Sequence, residues 1–177
     1  MIATSAAALV PVPQFDLQRY VGLWYEIAAI PGFLQSRCTK DTKVEYSPAE
    51  NGALASHTRC LTADGNEEVN EGRVRVLDPS LPAALKVTGV NFLGIWWYPF
   101  GRESIVLGVG PDYAWIVLGH PSLRYGRIIA RGPALPSETL KEIAAMLTQQ
   151  EFDTCRFVTT PQSQGALLTA RLCDIAR

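Results

Sequence analysis

The chain changes character at regular short intervals: runs of alternating apolar and polar residues are each ended by a cluster of Pro, Gly, Asn or Asp. That rhythm confines it to antiparallel β-structure. Thr42 to Ser47 sets Val44 and Tyr46 between polar neighbours, Pro48-Ala49-Glu50-Asn51-Gly52 turns the chain, and Leu54 to Leu61 runs back as the second arm of a hairpin. Ala63-Asp64-Gly65-Asn66 makes the next turn and leads into Glu71 to Val76, whose alternation puts Val74 and Val76 on the inner side. Asp78-Pro79-Ser80-Leu81-Pro82 then breaks the chain before Ala84 to Val90. Ser104 to Val109, Ala114 to Gly119 and Arg124 to Ala130 follow, punctuated by Gly110-Pro111-Asp112 and His120-Pro121-Ser122. With the strand that opens at Gly22 this makes about eight strands in meander order, the number that closes into a small up-and-down barrel.

One clear helix comes late. Ser137 is placed to cap it, Leu140, Ile143, Ala144 and Leu147 recur at helical spacing, and Glu138, Lys141 and Glu142 fall on the opposite, wet face. Arg156 to Thr160 is a last short strand, and Pro161 to Gly165 begins a flexible tail. The expected fold is therefore all-β: an eight-stranded antiparallel up-and-down barrel with one C-terminal α-helix packed on its outside. The expected organisation is a flexible segment 1–13, a barrel with its helix over 14–162, and a tail over 163–177.

Composition narrows the function classes. Sixteen basic against seventeen acidic residues give a net charge of -1, with no basic run interleaved with aromatics, so nucleic acid is not an expected partner. The richest apolar stretch, Gly89 to Phe100, is shorter than the roughly 18 residues a spanning helix needs and contains Asn91 and Pro99. Residues 1–10 are small and apolar without a basic start; they read either as the end of a secretion signal or as a disordered N-terminus, and no Leu-x-x-Cys precedes the domain. Cys38, Cys60, Cys155 and Cys173 form an even set without a Cys-x-x-Cys pair, which favours disulfides and an oxidising compartment over zinc. A hairpin register centred on Ala49 sets Cys38 opposite Cys60, close enough for a cross-strand bridge, and leaves Cys155 with Cys173.

The most specific motif is Phe15-Asp16-x-x-x-Tyr20-x-Gly22-x-Trp24-Tyr25-Glu26-Ile27, in which Gly22 permits a tight backbone approach before a strand and the Trp24 indole is large enough to plug a barrel end. With Arg131 after the last barrel strand and a helix beyond it, this run resembles the signatures of the lipocalin family, in the bacterial lipocalin and apolipoprotein D-like branch. The resemblance implies that Gly22, Trp24 and Arg131 form a structural signature, the guanidinium packing across the indole at the closed end. Where the family has Thr-Asp before a Tyr, this chain has Val109-Gly110, followed by Asp112 and Tyr113, so the contacts of that turn are expected to differ. Apolipoprotein D-like members also suggest a rival bridge, Cys38 with Cys173.

The same resemblance implies a small hydrophobic or amphipathic ligand, a fatty acid or lysolipid, bound in a mostly apolar cavity for transport or storage. No cofactor and no metal are implied. Candidate ligand-binding residues are Phe33 as a gate in the loop after the first strand, Trp96 and Trp97 at the mouth, Phe92, and Ile105, Leu107, Trp115 and Val117 at the parity read as inward. Arg73, Arg75 and Arg102 are candidates to meet an acidic head group, or are simply solvated. Alternative roles for the aromatics are packing outside the barrel, an oligomer contact, or peripheral membrane association; a monomer or a homodimer fits equally. The sequence holds only His57 and His120 and none of the familiar hydrolase or metalloprotease motifs, so a binding protein is expected rather than an enzyme. The alternative, a lipocalin-type enzyme acting on a lipid or isoprenoid, requires a free thiol such as Cys60 inside the barrel. The expected location is periplasmic or secreted, with outer-membrane association as a variant.

Overall fold

Eight long strands wind into a closed antiparallel ring in the computed structural model, which describes residues 8–32 and 37–176. They are β1 (Gly22–Ala29), β2 (Cys38–Pro48), β3 (Leu54–Thr62), β4 (Glu67–Asp78), β5 (Leu81–Thr88), then, after the two-residue hairpin strands β6 (Asn91–Phe92) and β7 (Ile95–Trp96), β8 (Arg102–Val109), β9 (Trp115–Gly119) and β10 (Gly126–Ala130). Each pairs with its predecessor in the ring, and β10 returns to β1 with Tyr25 opposite Ala130, so no barrel edge is left open. A bulge between Glu26 and Ala28 turns Ile27 and Ala28 both outward, while Trp24 and Glu26 point in.

The barrel wall is apolar on both faces, each for its own reason. Inside, Trp24, Val44, Leu54, Val74, Leu85, Val106, Ile116 and Ile129 fill the closed half. Outside, Ile27, Leu107, Val117 and Ile128 pack against Leu140, Ile143, Ala144 and Leu147 of the helix Ser137–Gln149. This is the stripe that the helical spacing marks, and it is covered as expected. The helix start differs: Pro136 stands at the cap position with no side-chain cap bond, and Ser137 is already inside the first turn.

The described segments on either side of the barrel are held more tightly than their composition suggests. Val12 N donates to the Val106 carbonyl at 2.9 Å, and the Gln150 side chain bonds both the amide and the carbonyl of Val10, so residues 10–12 lie along the barrel rather than free. Beyond β11 (Val158–Thr159), which pairs with Ala28 and Ala29 of β1, the tail folds back: Thr159 N reaches the Ala170 carbonyl at 2.8 Å and Leu172 is fully buried. The expectation of a flexible tail is corrected accordingly.

Two disulfides, Cys38–Cys60 and Cys155–Cys173, take up all four cysteines. The first joins the expected partners through a different register. The β2–β3 hairpin is centred on Asn51, with Val44 opposite Thr58 and Tyr46 opposite Ser56, and irregularities between Lys43 and Cys38 slide the strands until the two cysteines lie 5.5 Å apart at Cα.

Candidate binding cavity

The closed end is built before the cavity begins. A one-turn helix, α1 (Leu17–Tyr20), capped by Asp16, lays Phe15 and Tyr20 across the barrel bottom, and the Tyr20 carbonyl accepts the Trp24 indole N–H at 2.8 Å. Outside this plug the Arg131 guanidinium lies 3.7 Å over the Trp24 ring and donates to the carbonyls of Leu23, Arg19 and Val21 at 3.0, 2.8 and 3.0 Å. Gly22 sits at φ 106°, and a Cβ there would come within 3.0 Å of Arg131 Nη1, so both conformation and space call for glycine. The Val109-Gly110 departure leaves a short turn, Pro111–Tyr113, whose Tyr113 hydroxyl accepts from Asp16 N at 2.8 Å.

Above the plug the barrel is hollow. A cavity of about 1090 Å³ occupies the open half, within reach of the size range of small-molecule sites. Its lining is more apolar than polar, but Thr42, Ser56, Thr58, Ser104, Tyr125 and Arg127 are set among Leu85, Val87 and Leu118. At the floor, Tyr20 and Tyr46 stack with centroids 4.2 Å apart, and the Tyr20 hydroxyl donates to that of Tyr46 at 2.9 Å. Burial pushes both phenols above their ordinary pKa, so both stay protonated.

The cavity wall also holds a buried ion pair. Arg127 Nε lies 2.6 Å from Glu26 Oε2, and Glu26 Oε1 accepts from Thr160 Oγ1 at 2.7 Å. Burial opposes the charge on Arg127, but Glu26 more than offsets it and holds the guanidinium protonated. Gln162 buttresses the arrangement by donating to the carbonyls of Glu26 and Thr42, each at 2.9 Å.

The residues singled out from the sequence fall elsewhere. Ile105, Leu107, Trp115 and Val117 have the opposite parity to the one expected: they face the helix on the outer wall, while Ser104, Val106, Ile116 and Leu118 face in. Both faces of β8 and β9 are buried, so alternation alone cannot tell them apart. Trp96 is tucked outside the barrel, its ring 4.5 Å beneath the Arg73 guanidinium, and Arg75 stacks in the same way over Tyr98 at 4.0 Å. Arg73 is also paired with Glu50, which leaves Arg102, stacked 3.7 Å over Tyr125, as the one of the three candidate arginines on the cavity wall. Trp97 leans towards Phe100, and Phe92 stands in solvent on the β6–β7 hairpin. Phe33 lies outside the described residues. Cys60, the candidate thiol nucleophile, is bonded to Cys38.

The residues that sequence reading missed are Tyr20, Glu26, Tyr46 and Arg127. Glu26 and Tyr20 were in view as parts of the Gly22–Trp24 motif, and Arg127 as one polar residue in an apolar strand. The signal available was a charged residue at inward parity on each of two strands that become neighbours only on closure.

Around the mouth the polarity reverses. Leu93 is 86% exposed at the hairpin tip, flanked by exposed Phe92, Ile95 and Phe100, a concentration of apolar surface that a solvated turn does not need.

Comparison with known proteins agrees with this architecture. Residues 15–162 match the family model for a lipocalin-like domain. Temperature-induced lipocalin-1 of Arabidopsis thaliana is 32% identical over 156 residues, covering 86% of this chain and 82% of that relative. Outer membrane lipoprotein Blc of Escherichia coli K12 is 30% identical over 152 residues, covering 85% and 81%. The barrel superposes on insecticyanin from the tobacco hornworm Manduca sexta with a TM-score of 0.67 over 93% of each chain, at 20% identity, a likeness of fold alone. The closed eight-stranded ring, the plug of Trp24 beneath Arg131 and the matched 15–162 span together make this chain a member of the lipocalin family.

Proposed function

We propose that the protein binds a small amphipathic lipid, a fatty acid or lysophospholipid, in the barrel cavity and carries or stores it at a membrane periphery. The single observation behind this reading is the hollow of about 1090 Å³ above a closed, fully packed barrel base. A cavity so placed removes an alkyl chain from water at about 0.8 kcal/mol per CH₂. Family membership supports the same reading, because lipocalins bind small hydrophobic ligands. The apolar rim of Phe92, Leu93, Ile95 and Phe100 would rest on a lipid surface and shorten the path between membrane and cavity. Two disulfides suit an oxidising location, periplasmic or extracellular.

The test is organic extraction of protein purified without added lipid, followed by mass spectrometry, with the identified lipid then titrated against intrinsic fluorescence. A stoichiometric amphipathic lipid that rebinds saturably supports the reading. Protein that carries no lipid and binds none of a fatty-acid and lysolipid series refutes it.

A further inference from the structure

The polar floor of the cavity is built like a receptor for one negative charge. Arg127 is 6% exposed; its Nε lies against Glu26 Oε2, yet neither of these atoms nor the buried Nη2 completes a hydrogen bond among the described residues, and the Nη1–Nη2 edge has no partner there. A guanidinium presents its N–H groups as a planar fork whose second edge matches a carboxylate. That edge borders the cavity, where an acceptor that enters can supply the hydrogen bonds the protein does not. Glu26 accepts from Thr160 through Oε1 and is ion-paired with Arg127 through Oε2. Beside them, Tyr46 accepts from Tyr20, which leaves its own O–H free to donate towards the cavity.

We propose that the free edge of Arg127, together with the Tyr46 hydroxyl, binds the carboxylate of a fatty acid that enters head-first, its chain running up past Val87 and Val90 to Phe100 at the mouth. This rests on the cavity being the ligand site. Charge limits the head group. Arg127 and Glu26 cancel at the floor, and towards the mouth Arg37 and Arg102 stand against Glu68 and Glu71, so the lining has no surplus positive charge among the described residues. A carboxylate monoanion therefore places less uncompensated charge beside Glu26 than a phosphate dianion does. The orientation is the reverse of a pocket that takes a tail into an apolar base and keeps the head group in water.

The experiment compares palmitate with methyl palmitate and 1-hexadecanol by calorimetric titration. The three share a C16 chain and differ at the head. Wild-type protein is expected to bind palmitate at least about tenfold more tightly than either neutral lipid, a difference of about 1.4 kcal/mol. In the paired variant Glu26→Gln/Arg127→Met that preference should fall below about twofold while methyl palmitate affinity is kept. Glu26→Gln alone should tighten palmitate several-fold, because it removes the competing anion and keeps a hydrogen-bonding side chain; a role for Glu26 in structure only would not produce this. Equal binding of acid and ester by wild type, or a preference that survives in the paired variant, overturns the head-group site and leaves the cavity reading intact. Binding of none of the three lipids overturns the cavity reading and this inference with it. Should the paired variant fail to fold, the wild-type comparison and Glu26→Gln still decide.

Discussion

Replacing Arg131 by methionine isolates what the closed end contributes. The side chain lies 3.7 Å over the Trp24 ring and donates three hydrogen bonds to backbone carbonyls of the segment entering β1. A cation over an indole is worth about 0.5 to 2 kcal/mol depending on desolvation. Three hydrogen bonds at roughly 1 kcal/mol each net would add about 3, but Arg131 is exposed and water can replace it at the carbonyls, so the lower part of that range applies. Arg131→Met should therefore cost about 2 to 4 kcal/mol, or roughly 5 to 15 °C in Tm for a chain of this size. Urea denaturation followed by Trp fluorescence measures it directly, and Arg131→Lys serves as the partial control. Lysine keeps a charge over the ring but has no planar fork, so it should recover less than half. A loss under about 0.5 kcal/mol in Arg131→Met, or full recovery with lysine, would refute the account of this end as a hydrogen-bonded clamp. Ligand affinity should be unchanged in both variants, because the packed base separates Arg131 from the cavity.

Four further outcomes are expected. Gly126→Ala should destabilise by roughly 1 to 3 kcal/mol in chemical denaturation, since its Cβ would collide with the fully buried Phe157 ring, which has no room to retreat. Replacing Cys155 and Cys173 together by serine should cost about 3 kcal/mol, as expected for releasing a loop of this length, and should raise amide exchange around Leu172. Changing Phe92, Leu93 and Ile95 to serine should lower co-sedimentation with anionic phospholipid vesicles while leaving titration by a soluble lipid unaltered; unchanged sedimentation would remove the rim from the membrane argument. Asp41 is somewhat desolvated, which favours its protonated form, but the Ser163 hydroxyl and amide hold its carboxyl below the usual range. Because the folded pKa is depressed, that contribution is complete above the unfolded value and disappears as pH falls through the folded one. The stability gap between wild type and Ser163→Ala should accordingly be open at pH 7, start to close as pH falls past the ordinary carboxylate value of about 3.9, and vanish only below the depressed folded one.

Much of the scaffold was legible because its signals are local or chemically unusual. Val74 and Val76 alternate on a strand whose other face is wet, Leu140 to Leu147 repeat on a helix with one dry side, and Trp24 and Arg131 stand in a distinctive frame. The cavity was less legible, for two physical reasons. In β8 and β9 a helix covers the outside, so Ile105, Val106 and Leu107, or Ile116, Val117 and Leu118, are apolar on both sides and their parity carries no information. Glu26 and Arg127, moreover, acquire meaning only as a pair, and they lie a hundred residues apart until the ring closes. Trp96 and Trp97 misled for a third reason: aromatics near a mouth suit a rim, but the outward arginines of β4 offer their guanidinium faces to Trp96 and Tyr98 and draw them onto the outer wall.

The pairing of Tyr25 with Ala130 also sets a timetable for the chain during synthesis. The first barrel strand to leave the ribosome must wait for the last one, on the order of 10 s at ordinary elongation rates. Through that interval its apolar residues and its unpaired amides stand exposed, and neither the Trp24 plug nor the Arg127 site can assemble. The nascent protein is thus without a finished interior until the strand that ends at Ala130 has emerged. A holding chaperone, or export in the unfolded state, suits such a chain better than stepwise folding as it emerges.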